Sequence, residues 1–456
     1  MIIDYINKMA KIDPDMIFII IDEQSYSYQE FNDRINQVYF FLKSLDPAIT
    51  RIKINLSCKL FKLASVIACN RLNKIPVLYP DKKYLLKSFD YESEARIEFE
   101  LDDNSCIMQD IKKDCKKIFK YNENDVQLVL FTSGSESNPK AVELTYDNIL
   151  QSSLNLLKAT GLSKEDKYLN VLPLHHIAGI SIFFRSIYVG CLSIVKAYDK
   201  STILNDIKAD NANVISVVPK MLDDIIPQID SIEIIKKMKL LLIGGDSISE
   251  SLYQYIYDNQ INGYCTYGMT ETSSGVSGYW IKNKSKFEFG YLGIPYEKSQ
   301  IDISKGKIKI ISNTVMKKYV NGPRANNLFL TSDYGKIVND NIFFISRLNE
   351  VVVSGGENIN LNTIRNILEK SSVQNKKIVT KFKNKKWGDS IVVLLEGKNN
   401  KKIIKNLKIT LIKELPRYMV PKYYLFMDTF PYLNNYKIDY RIIDSYIKEK
   451  ISDSGC

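Results

Sequence analysis

Chemistry is most legible in Leu128-Val-Leu-Phe-Thr-Ser-Gly-Ser-Glu-Ser-Asn-Pro-Lys140. Leu128 to Phe131 read as a short covered strand, because β-branched and aromatic side chains suit a pleated, buried surface and the small polar run behind them cannot extend it. In the loop that follows, Thr132, Ser133, Gly134 and Ser135 offer hydroxyls and backbone N–H groups that can close round an anion, and Lys140 adds a full positive charge. Such a loop can grip polyphosphate. It is not a Walker A loop, which would need glycine at Pro139 and a hydroxyl residue at Ala141. Taken alone, the same residues would also make an ordinary Ser-rich surface turn.

Elements able to hold such a loop surround it. Ser27 and Glu30 have capping-box spacing just ahead of the apolar periodicity Phe31, Ile35, Val38, Tyr39, Phe41, Leu42, which starts a helix. Strands are expected at Ile52 to Leu56 and Ile75 to Pro80, with a helix from Phe61 to Leu72 between them. A second alternation runs through Val126 to Phe131, Leu144 to Ala159, Tyr168 to Leu172, Ile177 to Val189, Val214 to Val218 and Leu240 to Ile243. Strands alternating with helices imply parallel sheets covered on both faces. From about 290 to 345 the pieces become short and extended, as in Gly306 to Ile311 and Asn341 to Ile345, and a further αβ unit follows Arg347. The expected class is α/β: a large N-terminal domain over residues 1–346, made of two parallel-sheet αβ subdomains and a small β subdomain, then a smaller α+β domain over 350–456.

A chain of 456 residues with 45% hydrophobic and 25% charged residues is in the globular range, which excludes a disordered chain. The N-terminal apolar run Met16 to Ile21 is too short for a membrane span and lacks a basic leader, so a cytoplasmic location is expected. Seven widely spaced cysteines, Cys58, Cys69, Cys106, Cys115, Cys191, Cys265 and Cys456, fit free thiols. His175 and His176 are the only histidines, which argues against a dedicated transition-metal site. Residues 350–456 hold 17 Lys and 3 Arg against 11 Asp and Glu, yet without the basic and aromatic interleaving of a nucleic-acid reader. A phosphorylated cofactor, an acidic carrier protein or a plain solvated face fits that charge; no nucleic-acid partner is expected.

Together with the loop, five further stretches in fixed order resemble the adenylate-forming superfamily of acyl-CoA and aryl-CoA synthetases, luciferases and peptide-synthetase adenylation domains. They are Leu172-Pro-Leu-His-His-Ile-Ala-Gly179, Gly244-Gly245, Tyr267-Gly-Met-Thr-Glu271, Leu330-Thr-Ser-Asp333 with Arg347, and Lys437. The resemblance covers essentially the whole chain. It implies that a carboxylic acid attacks the α-phosphorus of ATP, expels pyrophosphate and gives an acyl-adenylate, a transfer that depends on positioning and charge neutralisation. On that reading Thr132 to Lys140 hold the β- and γ-phosphates, Gly244 and Gly245 lie on the adenine side, and Tyr267 offers its ring to the base. Gly268 lets the backbone pass close, Thr270 reaches the α-phosphate and Glu271 is a ligand for Mg²⁺. Asp333 accepts from the ribose hydroxyls and Arg347 donates to sugar or phosphate, although the two could equally form a surface ion pair.

The resemblance also implies a mobile C-terminal domain used twice. Lys437 serves the first step; after rotation about a hinge near 347–350, the loop Ser354-Gly355-Gly356-Glu357-Asn358 completes a tunnel for coenzyme A. Peptide-synthetase domains pair an aspartate with the substrate ammonium, and none stands between Leu174 and Lys196. Leu172 to Arg185 and Ser354 to Ile359 instead resemble the o-succinylbenzoate:CoA ligase branch of menaquinone biosynthesis. That acid carries two carboxylates: Arg185 would hold the one not activated, Ser216 would add a hydroxyl, and His176 would stand by the other. For Arg185 a helix-end ion pair is the alternative. An aryl- or fatty-acid ligase, a carrier-protein thiol as acceptor and a non-catalytic nucleotide-binding paralogue stay open, as does a homodimer. The chain departs from the family pattern at Glu136, Ser137, Ala178, Asn349, Glu350 and Tyr436, the last in place of a glycine before Lys437.

Overall fold

The computed structural model describes residues 2–80, 90–103, 122–132, 138–228, 230–284, 286–347, 351–354, 357–369, 371, 373, 375–384, 388–433 and 436–453. The chain forms two compact units, one of residues 1–286, 292–301 and 310–329, the other of 287–291, 302–309 and 330–456.

Two sheets build the first unit. Ile17–Ile21, Leu192–Val195, Lys167–Asn170, Val214–Val217, Leu240–Gly244 and Gly263–Met269 lie side by side and parallel. Ser274–Trp280 then folds back antiparallel on Gly263–Met269. In the other sheet Phe99–Asp102, Arg51–Asn55, Ile75–Leu78 and Val126–Phe131 are parallel, and Ala141–Thr145 runs antiparallel to the last of them. Two strands therefore sit where the order of the chain does not put them. Val126–Phe131, read above as opening the second alternation, pairs through Val129 with Val77 in the sheet that holds the strands of the first alternation, and Ile17–Ile21 joins the sheet that holds those of the second. Parallel pairing is non-local, so an apolar run specifies that a strand forms and leaves its neighbour to tertiary packing.

The helices behave as their local signals dictate. Ser27 caps Tyr28–Lys43 with both halves of a capping box to Glu30. Thr145 and Asn148 make the same reciprocal pair at the start of Tyr146–Thr160, and the Asn148 amide also donates to the carbonyls of Asn313 and Val315. Phe18, Tyr28, Phe31 and Phe183 stack and tilt against one another at 4.9 to 6.2 Å. This aromatic knot fastens the strand Ile17–Ile21 and the helix Tyr28–Lys43 to the helix Ile177–Val189.

The second unit contains, from Leu330 onward, the hairpin in which the strand Leu328–Val338 pairs with Asn341–Arg347, closed by Asn339 and Asp340, both at positive φ as a type I′ turn requires. Further along, Lys377–Asn384, Gly388–Glu396 and Tyr423–Met427 form a sheet buried on both faces. Val379, Ile391, Val393 and Leu395 pack with the helices Leu361–Glu369 and Lys401–Glu414, while Ile378, Val392 and Leu394 pack with Tyr440–Asp453. The alternation is the period-two geometry of a strand. Among the described residues no helix is long and apolar enough to cross a membrane.

Phe31 is fully buried in the aromatic knot. Phe31→Ala is expected to destabilise the first unit by about 3 to 5 kcal/mol, read as a lower midpoint of urea unfolding; an unchanged midpoint would show that the knot is not what joins these elements.

Candidate active site

In the first unit the expected residues gather at the carboxyl ends of parallel strands, where open α/β sheets leave a crevice. Gly244 ends its strand beside Thr266, and Gly245 follows at φ +85°, in the region that favours glycine. At Tyr267 and Gly268 the antiparallel register slips, a bulge that turns the next residues out of the sheet. Gly268 is required there by contact: a Cβ would stand 1.9 Å from the Ser274 carbonyl oxygen. The backbone then enters the short turn Thr270–Thr272, which leaves Thr270 buried and Glu271 partly exposed.

The phosphate-loop ends come from the other sheet. The Thr132 N–H donates to the Lys140 carbonyl at 2.9 Å and the Lys140 N–H donates to Thr132 Oγ1 at 2.9 Å, so the loop is pinned at its neck. Ser133, Gly134 and Ser135, with Glu136 and Ser137, lie outside the described residues. Lys140 Nζ lies 5.2 Å from the ring centroid of Tyr319, whose hydroxyl donates to Glu271 Oε1 at 2.8 Å. Tyr319 thus connects the lysine of one sheet with the carboxylate of the other. Its signal in the sequence, one tyrosine in Lys317-Lys-Tyr319, was too weak to single out.

His176 caps the helix Ile177–Val189 through its backbone, with the rings of His175 and His176 4.3 Å apart. Arg185, about two and a half helical turns further on, is 2% exposed. Its Nη2 donates to Ser274 Oγ at 2.8 Å, its Nε has no hydrogen-bond partner, and it has no carboxylate partner among the described residues. The helix-end ion pair weighed above is therefore not what holds it. Around it stand phenols: Ser216 Oγ and the Tyr168 hydroxyl are 2.7 Å apart, and the Tyr296 hydroxyl is 2.8 Å from Thr266 Oγ1. Burial pushes the Tyr168 and Tyr296 phenols up, and the positive charge of Arg185 pulls against that on both. Tyr168, Tyr296 and Ser274 had no pattern in the sequence to mark them.

Asp333, Arg347 and Lys437 belong to the second unit. Asp333 and Arg347 face each other across the hairpin, and Arg347 Nε donates to Asp333 Oδ1 at 2.9 Å. Asp333 is buried and Arg347 half-exposed, so the pair presents a fixed carboxylate at the strand edge. Lys437 sits on a small turn in which the Leu433 N–H donates to the Lys437 carbonyl at 2.7 Å and Tyr432 bridges Ile438. Tyr436 takes φ +59°, the conformation a glycine would adopt without strain. Gly355, Gly356, Asn349 and Glu350 lie outside the described residues.

A glycine turn beside a strand end, a pinned hydroxyl-rich loop and a carboxylate turn at the head of parallel strands define a nucleotide-binding enzyme of the α/β class. Residues 64–319, more than half of the chain, match the family described as AMP-binding enzyme, and the chain belongs to it. Among its relatives, the 2-succinylbenzoate–CoA ligase of Geobacillus sp. (strain WCH70) is 28% identical over 330 residues, 68% of this chain and 67% of that one. The 2-succinylbenzoate–CoA ligase of Bacillus cereus (strain AH820) is 24% identical over 465 residues, 94% and 95% of the two chains. The fold is shared with o-succinylbenzoate CoA synthetase from Bacillus subtilis in complex with the acyl-adenylate intermediate OSB-AMP, at TM-score 0.79, 22% identity and 97% of each chain. The same enzyme in complex with ATP and magnesium ion matches at TM-score 0.77 and 21% identity, over 95% of this chain and 98% of that one.

Burial, helped by the positive charge of Lys62, holds the His175 imidazole down at about 4, so it stays neutral in the folded protein. In the unfolded chain it takes up a proton below about 6.5. The native state therefore keeps its full stability above pH 6.5 and loses about 3 kcal/mol as pH falls towards 4. Urea midpoints measured from pH 7.5 to 4.5 should fall with pH, and His175→Gln should flatten that slope; an equal slope in both proteins would contradict the assignment.

Proposed function

We propose that this protein is an ATP-dependent, AMP-forming acid:CoA ligase whose acid is o-succinylbenzoate. The observation that carries the reading is Arg185. Among the described residues no carboxylate pairs with it, and a guanidinium under the surface without an opposite charge is costly because water is lost and nothing replaces it. Such a group is retained where a ligand brings the missing anion, and a dicarboxylic acid does so with the carboxylate that is not activated. The relatives named 2-succinylbenzoate–CoA ligase support the same substrate.

Two displacements make up the reaction. A carboxylate oxygen of the acid bonds to the α-phosphorus of ATP as the bond to pyrophosphate breaks; then the sulfur of coenzyme A bonds to the acyl carbon as AMP leaves, its thiol proton passing to solvent. In the first, Thr132, Ser133, Gly134, Ser135 and Lys140 would hold the β- and γ-phosphates, with Lys140 swinging off the Tyr319 ring to reach them. Gly244, Gly245, Tyr267 and Gly268 would frame the adenine, Thr270 would donate to the α-phosphate and Asp333, oriented by Arg347, would accept from the ribose. His176 would lie by the attacking carboxylate and Ser216 by the other. Mg²⁺ fits this set, since an ion bound chiefly by phosphate oxygens and water needs few protein ligands and Glu271 is a partly exposed carboxylate oriented by Tyr319. When bound it neutralises phosphate charge as pyrophosphate departs.

For the second displacement we propose that residues 350–456 act as a lid on a hinge at 347–350. Lys437 would serve the adenylate, and Gly355 and Gly356 the approach of the thiol. Water-borne substrates make the cytoplasm the proposed location.

The acid is tested by AMP release across a panel of acids with and without coenzyme A. O-succinylbenzoate should be the preferred substrate, and Arg185→Met should lower kcat/KM for it by roughly 30- to 1,000-fold, the loss expected for a buried charge contact. AMP release with fatty or aryl monocarboxylates alone would sink the proposed acid. Lys437→Ala should slow acyl-adenylate formation sharply while preformed acyl-adenylate still reacts with coenzyme A. Equal loss of both half-reactions would contradict the two-face lid.

A further inference from the structure

The strained residue beside the site is Ser274, at φ +104°, a backbone conformation that side chains other than glycine rarely adopt. Its neighbours hold it there. The Thr272 hydroxyl donates to the Ser274 carbonyl at 2.7 Å, and the bare Cα of Gly268 makes room for that same oxygen. One residue earlier, the Ser273 hydroxyl donates to the Thr314 carbonyl at 2.9 Å, and its carbonyl accepts from the Ser152 hydroxyl. Several independent contacts thus maintain a conformation that a glycine would reach without strain, and glycine stands at the next position, Gly275. Strain kept under such restraint points to a task for the side chain.

The task is visible in the contacts. Ser274 Oγ accepts from Arg185 Nη2 at 2.8 Å, and the Tyr168 hydroxyl is the other neutral side-chain group that hydrogen-bonds this buried guanidinium among the described residues. Hydroxyls here restrain the fork without neutralising it, which leaves the charge, and an Nε with no partner among the described residues, for a ligand. The same segment is continuous with the nucleotide turn: Ser274 lies three residues beyond Glu271, and its carbonyl rests on Gly268. Resting on the ligase reading above, we infer that Ser274 is a positioning residue that aims Arg185 at the second carboxylate of the acid and ties recognition of that carboxylate to the turn carrying Thr270 and Glu271. Binding energy from a group remote from the reacting carbon would then reach the adenylation step, the use of binding that raises kcat as well as lowering KM.

Two variants separate this role from a merely structural one. Ser274→Ala removes the acceptor and keeps the strain; Ser274→Gly removes both, and should raise the thermal midpoint. The readout is the ratio of kcat/KM for o-succinylbenzoate over 4-oxo-4-phenylbutanoate, which lacks the ring carboxylate. Both variants should lower that ratio about tenfold, the loss expected for one hydrogen bond to a charged group. In an Arg185→Met background, Ser274→Ala should change it no further. A ratio that survives in both variants, or a fall that is equally large without Arg185, overturns the positioning role. A wild-type enzyme indifferent to the ring carboxylate instead overturns the ligase reading on which the inference rests.

Discussion

The site in the first unit depends on one electrostatic constraint, a guanidinium under the surface that no carboxylate meets among the described residues. Arg185 is carried on an apolar helix whose other side chains, Ile182, Phe183, Phe184 and Ile187, are fully buried. The helix cannot roll to expose the charge without pulling those groups into water, which would cost far more than the charge does. The guanidinium is instead surrounded by neutral oxygens, from Ser274 and the phenols nearby, that solvate it in part and leave its charge intact. On the proposed function, a buried charge kept this way rewards a ligand for bringing an anion.

The nucleotide side obeys a different constraint, that of backbone approach. Gly268 exists to let the Ser274 carbonyl come close, and the bulge at Tyr267 and Gly268 turns Thr270 and Glu271 out of the sheet. Tyr319 then ties Glu271 to Lys140, although the lysine stands just before the strand Ala141–Thr145 of the other sheet. Phenol, carboxylate and ammonium form one line of contacts, so the carboxylate proposed for the metal is oriented before any ligand arrives, while the lysine is parked on the ring it would leave to meet phosphate.

Strain recurs in the second unit. Tyr436 takes a left-handed conformation just before Lys437, where glycine would be at ease. Backbone hydrogen bonds between Leu433 and Lys437 and between Pro431 and Asp439 hold the turn in that state. The departure from glycine noted in the sequence is therefore accommodated at a cost of about 1 kcal/mol or more, and the lysine is still presented by a closed turn. Asp333 and Arg347 show the opposite economy: a β register sets them opposite each other, and the pair needs no special backbone.

Much of this was legible in order along the chain. The capping box of Ser27 and Glu30, the strand that stops at Gly244, and the hydroxyl-rich loop between Thr132 and Lys140 are local patterns, decided by residues a few positions apart, and side-chain type is enough to read them. The candidate groups themselves, including Arg185, Glu271, Asp333 and Lys437, were named through the resemblance of their motifs to a known family. What only the tertiary structure decided involves partners far apart in sequence. Val126–Phe131 could have joined either sheet, because an apolar strand is equally content beside any parallel neighbour. Tyr319 meets Glu271 across 48 residues and Arg185 meets Ser274 across 89, and neither tyrosine nor serine is rare enough to announce such a meeting. That none of the described carboxylates pairs with Arg185 is also invisible in a chain with 52 Asp and Glu, since only folding determines which of them come near. Residue chemistry fixes what each group is able to do; long-range packing, which selects neighbours and excludes water, decides which of those abilities the protein keeps.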